Sequence, residues 1–162
     1  MGKKKKGPRT NSMRLLDANK VPYEVFTFSP DIHSAEGVAE TLGLDPSTVY
    51  KTLVVERARG KPLLVMVAGN RQIDLGRLAA SLGEKKVHMA SHHDAEKRTG
   101  LQVGGISALA LLHKGFEICI DQAARDLEQI TISAGQRGIN LRLAVEDLVR
   151  IIGARWVDAA GQ

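Results

Sequence analysis

Hydrophobic and polar residues alternate in short blocks along the chain, and the blocks switch repeatedly between helical and strand periodicity. Helical spacing predicts five helices, at 12–20, 34–42, 75–82, 91–100 and 145–152. The expected N-cap residues of the first four are Ser12, Ser34, Asp74 and Ser91. Runs of β-forming residues predict strands at 23–28, 49–57, 62–68, 87–89, 116–121, 129–133, 140–143 and 155–157.

Two pairs of neighbouring strands are separated by glycine-containing turns. Strands 49–57 and 62–68 flank Arg59-Gly60, and strands 129–133 and 140–143 flank the segment 134–138. Each pair is expected to form a hairpin. Hairpins interleaved with helices indicate an α+β fold with a mixed sheet, rather than a parallel doubly wound sheet.

The basic charge of the chain is concentrated at its N-terminus. The 162 residues carry a formal net charge of +5, with 23 basic and 18 acidic residues. Five of the basic residues, Lys3–Lys6 and Arg9, lie in the first ten positions, so the remaining 18 balance the acidic residues. We expect a basic flexible leader at residues 1–12 and a single domain at 13–162. The leader is either a solvated extension or an arm that contacts nucleic-acid phosphates.

Several classes of protein are excluded or disfavoured by absent features. A single cysteine excludes an internal disulfide framework and a multi-cysteine zinc site. No apolar run is long enough to span a bilayer, so we expect a cytoplasmic protein without membrane contact. The phosphate-binding motifs G-x-x-x-x-G-K-[ST] and G-x-G-x-x-G are missing. We therefore expect neither a metal nor a cofactor.

The residues that resemble catalytic nucleophiles or ligands have simpler interpretations. Ser107 follows Gly105-Ile106 but lacks the second glycine of a nucleophile elbow. His92 and His93 are adjacent, so on a helix they point about 100° apart, and they are expected to be solvated in a first helical turn. Cys119 lies in a short apolar strand and is expected to be a buried, inert thiol.

Lys51 is the exceptional polar residue of the chain. Strand alternation places it on the same face as Val49, Leu53 and Val55. An isolated buried ammonium is costly, so this lysine must find a partner, line a cleft or reach solvent. Two interpretations remain open: a functional lysine in a cleft, or a charge that protects an edge strand from pairing with other chains.

Two glycine-rich segments are further candidates. The run 99–107 holds glycine at 100, 104 and 105, which frees its backbone to present N–H groups to a ligand. It could equally be a loop that leaves a helix. In the run 133–138, Arg137 could meet a phosphate or lie solvated at a hairpin tip.

These segments occur in the order and spacing of one known family. Val49–Leu53, Thr99–Ser107 and Ser133–Gly138 together resemble the YbaK family, relatives of the editing domain inserted in bacterial prolyl-tRNA synthetases. The resemblance runs from about Met13 to Ala159. It implies a mixed, barrel-like β-sheet with surrounding helices.

The resemblance also implies an activity, namely trans-editing of mischarged tRNA by cleavage of its aminoacyl ester. The implied substrate is the acceptor end of tRNA(Pro) carrying Cys or a small amino acid. Cleavage would be by ester hydrolysis or by a substrate-assisted, lyase-type reaction, with prolyl-tRNA synthetase as a candidate partner. Lys51 falls on the essential lysine of the family. The implied substrate-binding residues are Phe28, Thr52, Leu101, Gly104, Gly105, Ile106, Ser107 and Asn140.

The chain also departs from the family pattern. Ala108 stands where the family loop has proline, Phe28 and Leu101 where the best-known members have tyrosine, and Asn140 where they have aspartate. Fewer hydroxyls and charges around the pocket would favour small apolar side chains in the substrate. The alternative function is a non-catalytic module of the same fold that binds tRNA or a synthetase.

Overall fold

Five helices and eight strands alternate in the computed structural model, which describes residues 9–161. The helices are α1 (Asn11–Ala18), α2 (Ala35–Leu42), α3 (Leu75–Leu82), α4 (His92–Thr99) and α5 (Val145–Ile152). The strands are β1 (Glu24–Thr27), β2 (Tyr50–Arg57), β3 (Leu63–Ala68), β4 (Val87–Met89), β5 (Glu117–Asp121), β6 (Gln129–Ser133), β7 (Ile139–Ala144) and β8 (Arg155–Val157). None of the helices within residues 9–161 is long and apolar enough to cross a membrane.

The strands form two sheets. The larger has the order β4-β2-β3-β5-β8, in which β2 pairs antiparallel with β3 and β4, while β5 pairs parallel with β3 and β8. The smaller is antiparallel and has the order β1-β7-β6. Both predicted hairpins are confirmed, as β2–β3 and β6–β7. The α+β class and the mixed sheet are confirmed as well.

The expected barrel-like sheet is not what the strands form. The two sheets meet at one isolated bridge, between Val49 and Thr131, and no closed barrel is formed by residues 9–161. Strand β2 is paired with β3 along most of its length and with β4 at Val55–Arg57. Only the start of β2 therefore remains available to β6, and the strand order does not close.

The central strand β3 is buried along its whole length and separates two cores. Leu64, Met66 and Ala68 belong to the larger core, which also includes residues of α1, α4, α5 and the smaller sheet. Leu63, Val65 and Val67 face the smaller core, which α3 covers. This alternation follows from the two-residue period of a strand. Strand β2, which carries Lys51, is held between β3 and β4.

Three of the four predicted N-caps are confirmed. The side chains of Ser34, Asp74 and Ser91 each accept a hydrogen bond from the backbone N–H three residues further on. A glycine in the left-handed conformation follows each of these helices. The boundaries of α2, α3 and α4 thus follow from local sequence.

The predicted cap of the first helix is wrong. Helix α1 begins at Asn11 and is capped by Thr10, whose side chain accepts the N–H of Met13. Ser12 is buried inside the helix, and its hydroxyl donates to the carbonyl oxygen of Ala134 at 2.8 Å. The serine has this partner in a distant turn and is not needed at the helix end. The predicted lysine-rich part of the leader lies outside the described residues.

Candidate active site

A cavity of about 230 Å³ opens where β2 passes the start of α2 and the glycine-rich segment. Its walls come from residues within 33–36, 50–54, 89–95 and 103–106, together with Gly69 and Ser133. These segments are far apart in sequence. The cavity therefore depends on the tertiary fold, and its walls are mostly apolar.

Lys51 is a half-buried cation in this wall. It stands opposite Val67 in the β2–β3 ladder, and its Nζ lies 3.5 Å from the carbonyl oxygen of Gly69, to which it donates. Burial lowers the pKa of Lys51 from its ordinary value, and the negative charge of Glu36 partly opposes this. Strand β2 is interior in the sheet order, but β4 pairs with it only at Val55–Arg57, so at Lys51 the ladder partner is on the β3 side alone and the edge-protection interpretation stays open.

Glu36 supplies a carboxylate to the same cavity. It lies in the first turn of α2, is exposed, and is the single acidic residue among those that line the cavity within residues 9–161. His33 and His92, also exposed, line the cavity too. Sequence reasoning missed Glu36 and His33, because a polar residue beside a helix N-cap has no pattern that relates it to a distant strand.

Gly104 lets the glycine-rich segment approach α2. Its φ is +93°, and a Cβ built on it would lie 2.3 Å from the Cβ of His33 and 2.8 Å from the His33 carbonyl oxygen. A Cβ on Gly105 would lie 2.9 Å from the backbone nitrogen of Arg137. The segment is thus enclosed between the start of α2 and the β6–β7 turn, with no room for side chains at either glycine.

Two side chains hold the backbone of Val103 from opposite ends. Its N–H donates to Oε2 of Glu96 at 2.8 Å, and its carbonyl oxygen accepts from Nε of Arg137 at 2.7 Å. Arg137 is partly buried. The sequence left two interpretations of Arg137 open, a phosphate contact and a solvated hairpin tip. Its Nε does neither, because it donates to Val103 and thereby fixes the glycine-rich segment.

The structure brings four of the predicted site residues to one cavity. Lys51 and Thr52 come from β2, and Gly104 and Ile106 come from the glycine-rich segment. Gly105 is buried just behind this wall, against the β6–β7 turn. The two residues of β2 and the two of the glycine-rich segment are about fifty positions apart in sequence, and the tertiary fold makes them neighbours.

The other four predicted residues do not line the cavity. Ser107 is buried and its Oγ accepts the N–H of Ala110 at 3.2 Å. Asn140 is buried in β7, between Phe26 and Ser133 of the adjacent strands. Phe28 packs in a small cluster with α2, and Leu101 lines a different groove.

The departures from the family pattern therefore act away from the cavity wall. Neither Phe28, Leu101 nor Asn140 contributes to that wall, and Ala108 is fully buried. The expected loss of hydroxyls and of a charge does not remove groups from the lining of this cavity. An effect of these positions on specificity would have to act through the packing behind the wall.

The expectations for cysteine and histidine are confirmed. Cys119 is fully buried, and burial raises the pKa of its thiol to about 11. His92 and His93 are exposed in the first turn of α4. In the part of the chain that the structure describes, no three His, Cys, Asp or Glu side chains converge as a metal site would require.

Comparison with known proteins identifies the class. The sequence profile of the aminoacyl-tRNA editing domain matches residues 29–151, and the chain belongs to that family. The resemblance predicted from the three motifs is confirmed.

Individual relatives agree with this assignment. The chain is 36% identical over 160 residues to a protein of Enterococcus faecalis named as the Cys-tRNA(Pro)/Cys-tRNA(Cys) deacylase EbsC, covering 98% of this chain and 97% of that one. It is 28% identical over 114 residues to a proline–tRNA ligase of Limosilactobacillus fermentum, covering 68% of this chain and 20% of the ligase.

A solved structure shares the fold. The protein described as a trans-editing enzyme for prolyl-tRNA synthetase superposes with a TM-score of 0.77 at 18% identity, over 96% of this chain and 100% of that one. At this identity the likeness concerns the fold alone.

The close packing at residue 104 can be tested with a matched glycine. Gly104→Ala is expected to lower the free energy of unfolding by about 1–3 kcal/mol more than Gly83→Ala, the usual cost of overpacking. Gly83 also has a positive φ, +74°, but a Cβ there would meet nothing within 4 Å. Urea unfolding of both variants measures the difference. Equal destabilisation would show that residue 104 has room for a side chain.

Proposed function

We propose that this protein is an aminoacyl-tRNA deacylase that removes the amino acid from mischarged tRNA in trans. The observation that carries the proposal is the meeting of Lys51 with Gly104 and Ile106 across one small, mostly apolar cavity. A concave apolar site with few polar groups is typical of small-ligand binding. The family assignment and the name of the Enterococcus faecalis relative support this reading.

The proposed chemistry is the cleavage of an ester that is already activated. Water, or a hydroxyl or thiol of the substrate itself, adds to the carbonyl carbon. The bond from this carbon to the ribose oxygen then breaks, and the ribose oxygen takes the proton that the attacking group loses. The Lys51 ammonium stabilises the negative charge that develops on the carbonyl oxygen. Positioning and this electrostatic contribution suffice without a protein nucleophile. The burial of Ser107 and Cys119 away from the cavity is consistent with that mechanism.

Glu36 completes the proposed recognition of an aminoacyl group. An aminoacyl ester carries an α-ammonium group whose nitrogen is two bonds from the carbonyl carbon. The cavity holds one carboxylate, that of Glu36, and one ammonium, that of Lys51, and these match the two ends in charge. Glu36 would thus bind the substrate amine, while Lys51 faces the carbonyl oxygen.

The substrate class proposed is tRNA(Pro) charged with Cys or another small amino acid. The limited volume of the cavity and its apolar walls favour a small side chain. The acceptor end would be the part of the tRNA that the protein holds. Prolyl-tRNA synthetase is the proposed partner, and the cytoplasm, where charged tRNA is used, is the proposed location.

The first test removes the amine of Lys51. Lys51→Ala is expected to slow deacylation of Cys-tRNA(Pro) or Ala-tRNA(Pro) by roughly 100-fold or more, the usual loss when one transition-state hydrogen-bond donor is removed. Lys86→Ala, at an exposed lysine outside the cavity, is the control and is expected to keep the wild-type rate. Single-turnover rates with each charged tRNA provide the measurement. If the wild-type protein binds tRNA but cleaves no ester, the non-catalytic alternative is correct.

The second test concerns the charge pair in the cavity. Glu36→Gln removes the negative charge that raises the pKa of Lys51, so burial alone remains and this pKa falls further. The pH at which the lysine loses its charge then moves lower. NMR titration of the Lys51 side chain measures this directly. Glu40→Gln, on the same helix but outside the cavity, is the matched control. An unchanged pKa of Lys51 in Glu36→Gln would contradict the electrostatic effect of Glu36 on Lys51.

A further inference from the structure

A second groove lies on the other side of the glycine-rich segment from the cavity. It has a volume of about 410 Å³ and is formed by the start of α1, the end of α4, the 3₁₀ turn Leu112–Lys114 and the β6–β7 turn. Neither the fold nor the proposed reaction assigns a function to this groove.

The groove is lined by cations and by no carboxylate. Arg9, Arg14 and Lys114 are its cations, His113 also lines it, and no lining residue within the described chain is acidic. Arg9 forms an ion pair with Asp17 outside the groove lining. Arg14 and Lys114 are exposed and form no ion pair with any residue between 9 and 161. Two cations without an ion-pair partner thus face the same groove, on a domain whose formal charges balance when these two are counted.

The same two chain segments, the glycine-rich segment and the β6–β7 turn, contribute walls to both the groove and the cavity. Along the glycine-rich segment, Leu101 faces the groove, and Val103 and Gly104 face the cavity. Along the β6–β7 turn, Ser133 faces the cavity, and Ala134 begins the groove. Two residues of chain span at most roughly 7 Å, so the two sites are separated by about one thickness of backbone.

Helix α1 is fixed in place against these shared walls. The buried Ser12 hydroxyl donates to Ala134 and lies 3.4 Å from Oγ of Ser107. Lys114 lies near the other wall, with its Nζ 3.7 Å from the position that a Cβ of Gly100 would occupy. The backbone of α1, which carries Arg14, therefore has a defined position relative to the cavity.

We propose that this groove binds the phosphate backbone of the RNA whose aminoacylated end enters the cavity. Phosphate contacts position a nucleic acid without reading its bases, and they come mainly from arginine and lysine. An ester substrate attached to the end of an RNA strand has its first phosphates within a nucleotide or two of the cavity. The neighbouring groove is where such phosphates would lie. This inference rests on the proposed function, since it takes the substrate to be charged tRNA.

The test compares two double variants with equal loss of charge. Arg14→Ala/Lys114→Ala changes the groove, and Lys85→Ala/Lys86→Ala removes two exposed lysines that line neither site. Binding of uncharged tRNA(Pro) is measured by fluorescence anisotropy over a series of salt concentrations. Loss of two phosphate contacts should lower the slope of log K against log salt by roughly 1.5 to 2 and weaken binding roughly tenfold at 0.1 M salt. The control variant should keep the wild-type slope.

A second substrate separates this proposal from the proposed reaction. An aminoacyl ester of adenosine has no phosphate, so the groove variant should cleave it at the wild-type rate while being slower on subsaturating charged tRNA. Lys51→Ala should lose cleavage of both substrates and keep the affinity for uncharged tRNA within about twofold, because no phosphate contact is removed.

The outcomes are distinguishable. If the groove variant binds tRNA with wild-type affinity and slope, or if the control variant loses as much as the groove variant, the groove proposal is overturned. If the wild-type protein cleaves neither ester but its tRNA binding depends on Arg14 and Lys114, the groove proposal stands and the proposed reaction fails.

Discussion

The close approach of residue 104 to the start of α2 is the constraint on which the candidate site depends. A Cβ at this position would overlap both the side chain and the backbone of His33. With glycine there, the segment closes over the strand that carries Lys51, and Glu96 and Arg137 hold Val103 from either end. The cavity exists because these contacts join α2, α4 and the β6–β7 turn around one short piece of chain.

The electrostatics of the molecule follow from the same arrangement. A lysine on an apolar strand face loses much of its hydration, which lowers its pKa, and one carboxylate on α2 partly restores it. On the other side of the glycine-rich segment, Arg14 and Lys114 have no carboxylate partner among the described residues. One backbone segment thus separates a mostly apolar cavity that holds one charge of each sign from a groove of positive charge. This division matches a substrate that is a small amino acid at one end and a polyanion at the other.

Local signals in the sequence predicted the elements well, whereas non-local pairings could not be predicted. Ser34, Asp74 and Ser91 marked their helices because capping involves neighbours three residues away. At α1 the predicted cap, Ser12, instead donates to Ala134, far along the chain, and Thr10 caps the helix. The expected barrel came from a resemblance, and pairing of β2 with β3 and β4 leaves the two sheets joined at a single bridge.

The candidate site was likewise predictable only in part. Lys51 and Gly104 each carried a signal in the sequence. Lys51 is a charge on an apolar strand face, and Gly104 belongs to a segment that is unusually rich in glycine. Glu36 matched its surroundings as an ordinary solvated residue of a helix start, and its place beside Lys51 depends on how α2 meets β2.

The most direct test is an NMR titration with an amide analogue of aminoacyl-adenosine, which the protein cannot cleave as an ester. We expect the NMR signals of the backbone amides of Gly104 and Ile106 and of the Lys51 side chain to shift together, with one affinity, and Lys51→Ala to weaken binding. Shifts confined to another surface, or equal binding by Lys51→Ala, would contradict the assignment of this cavity as the site of ester cleavage.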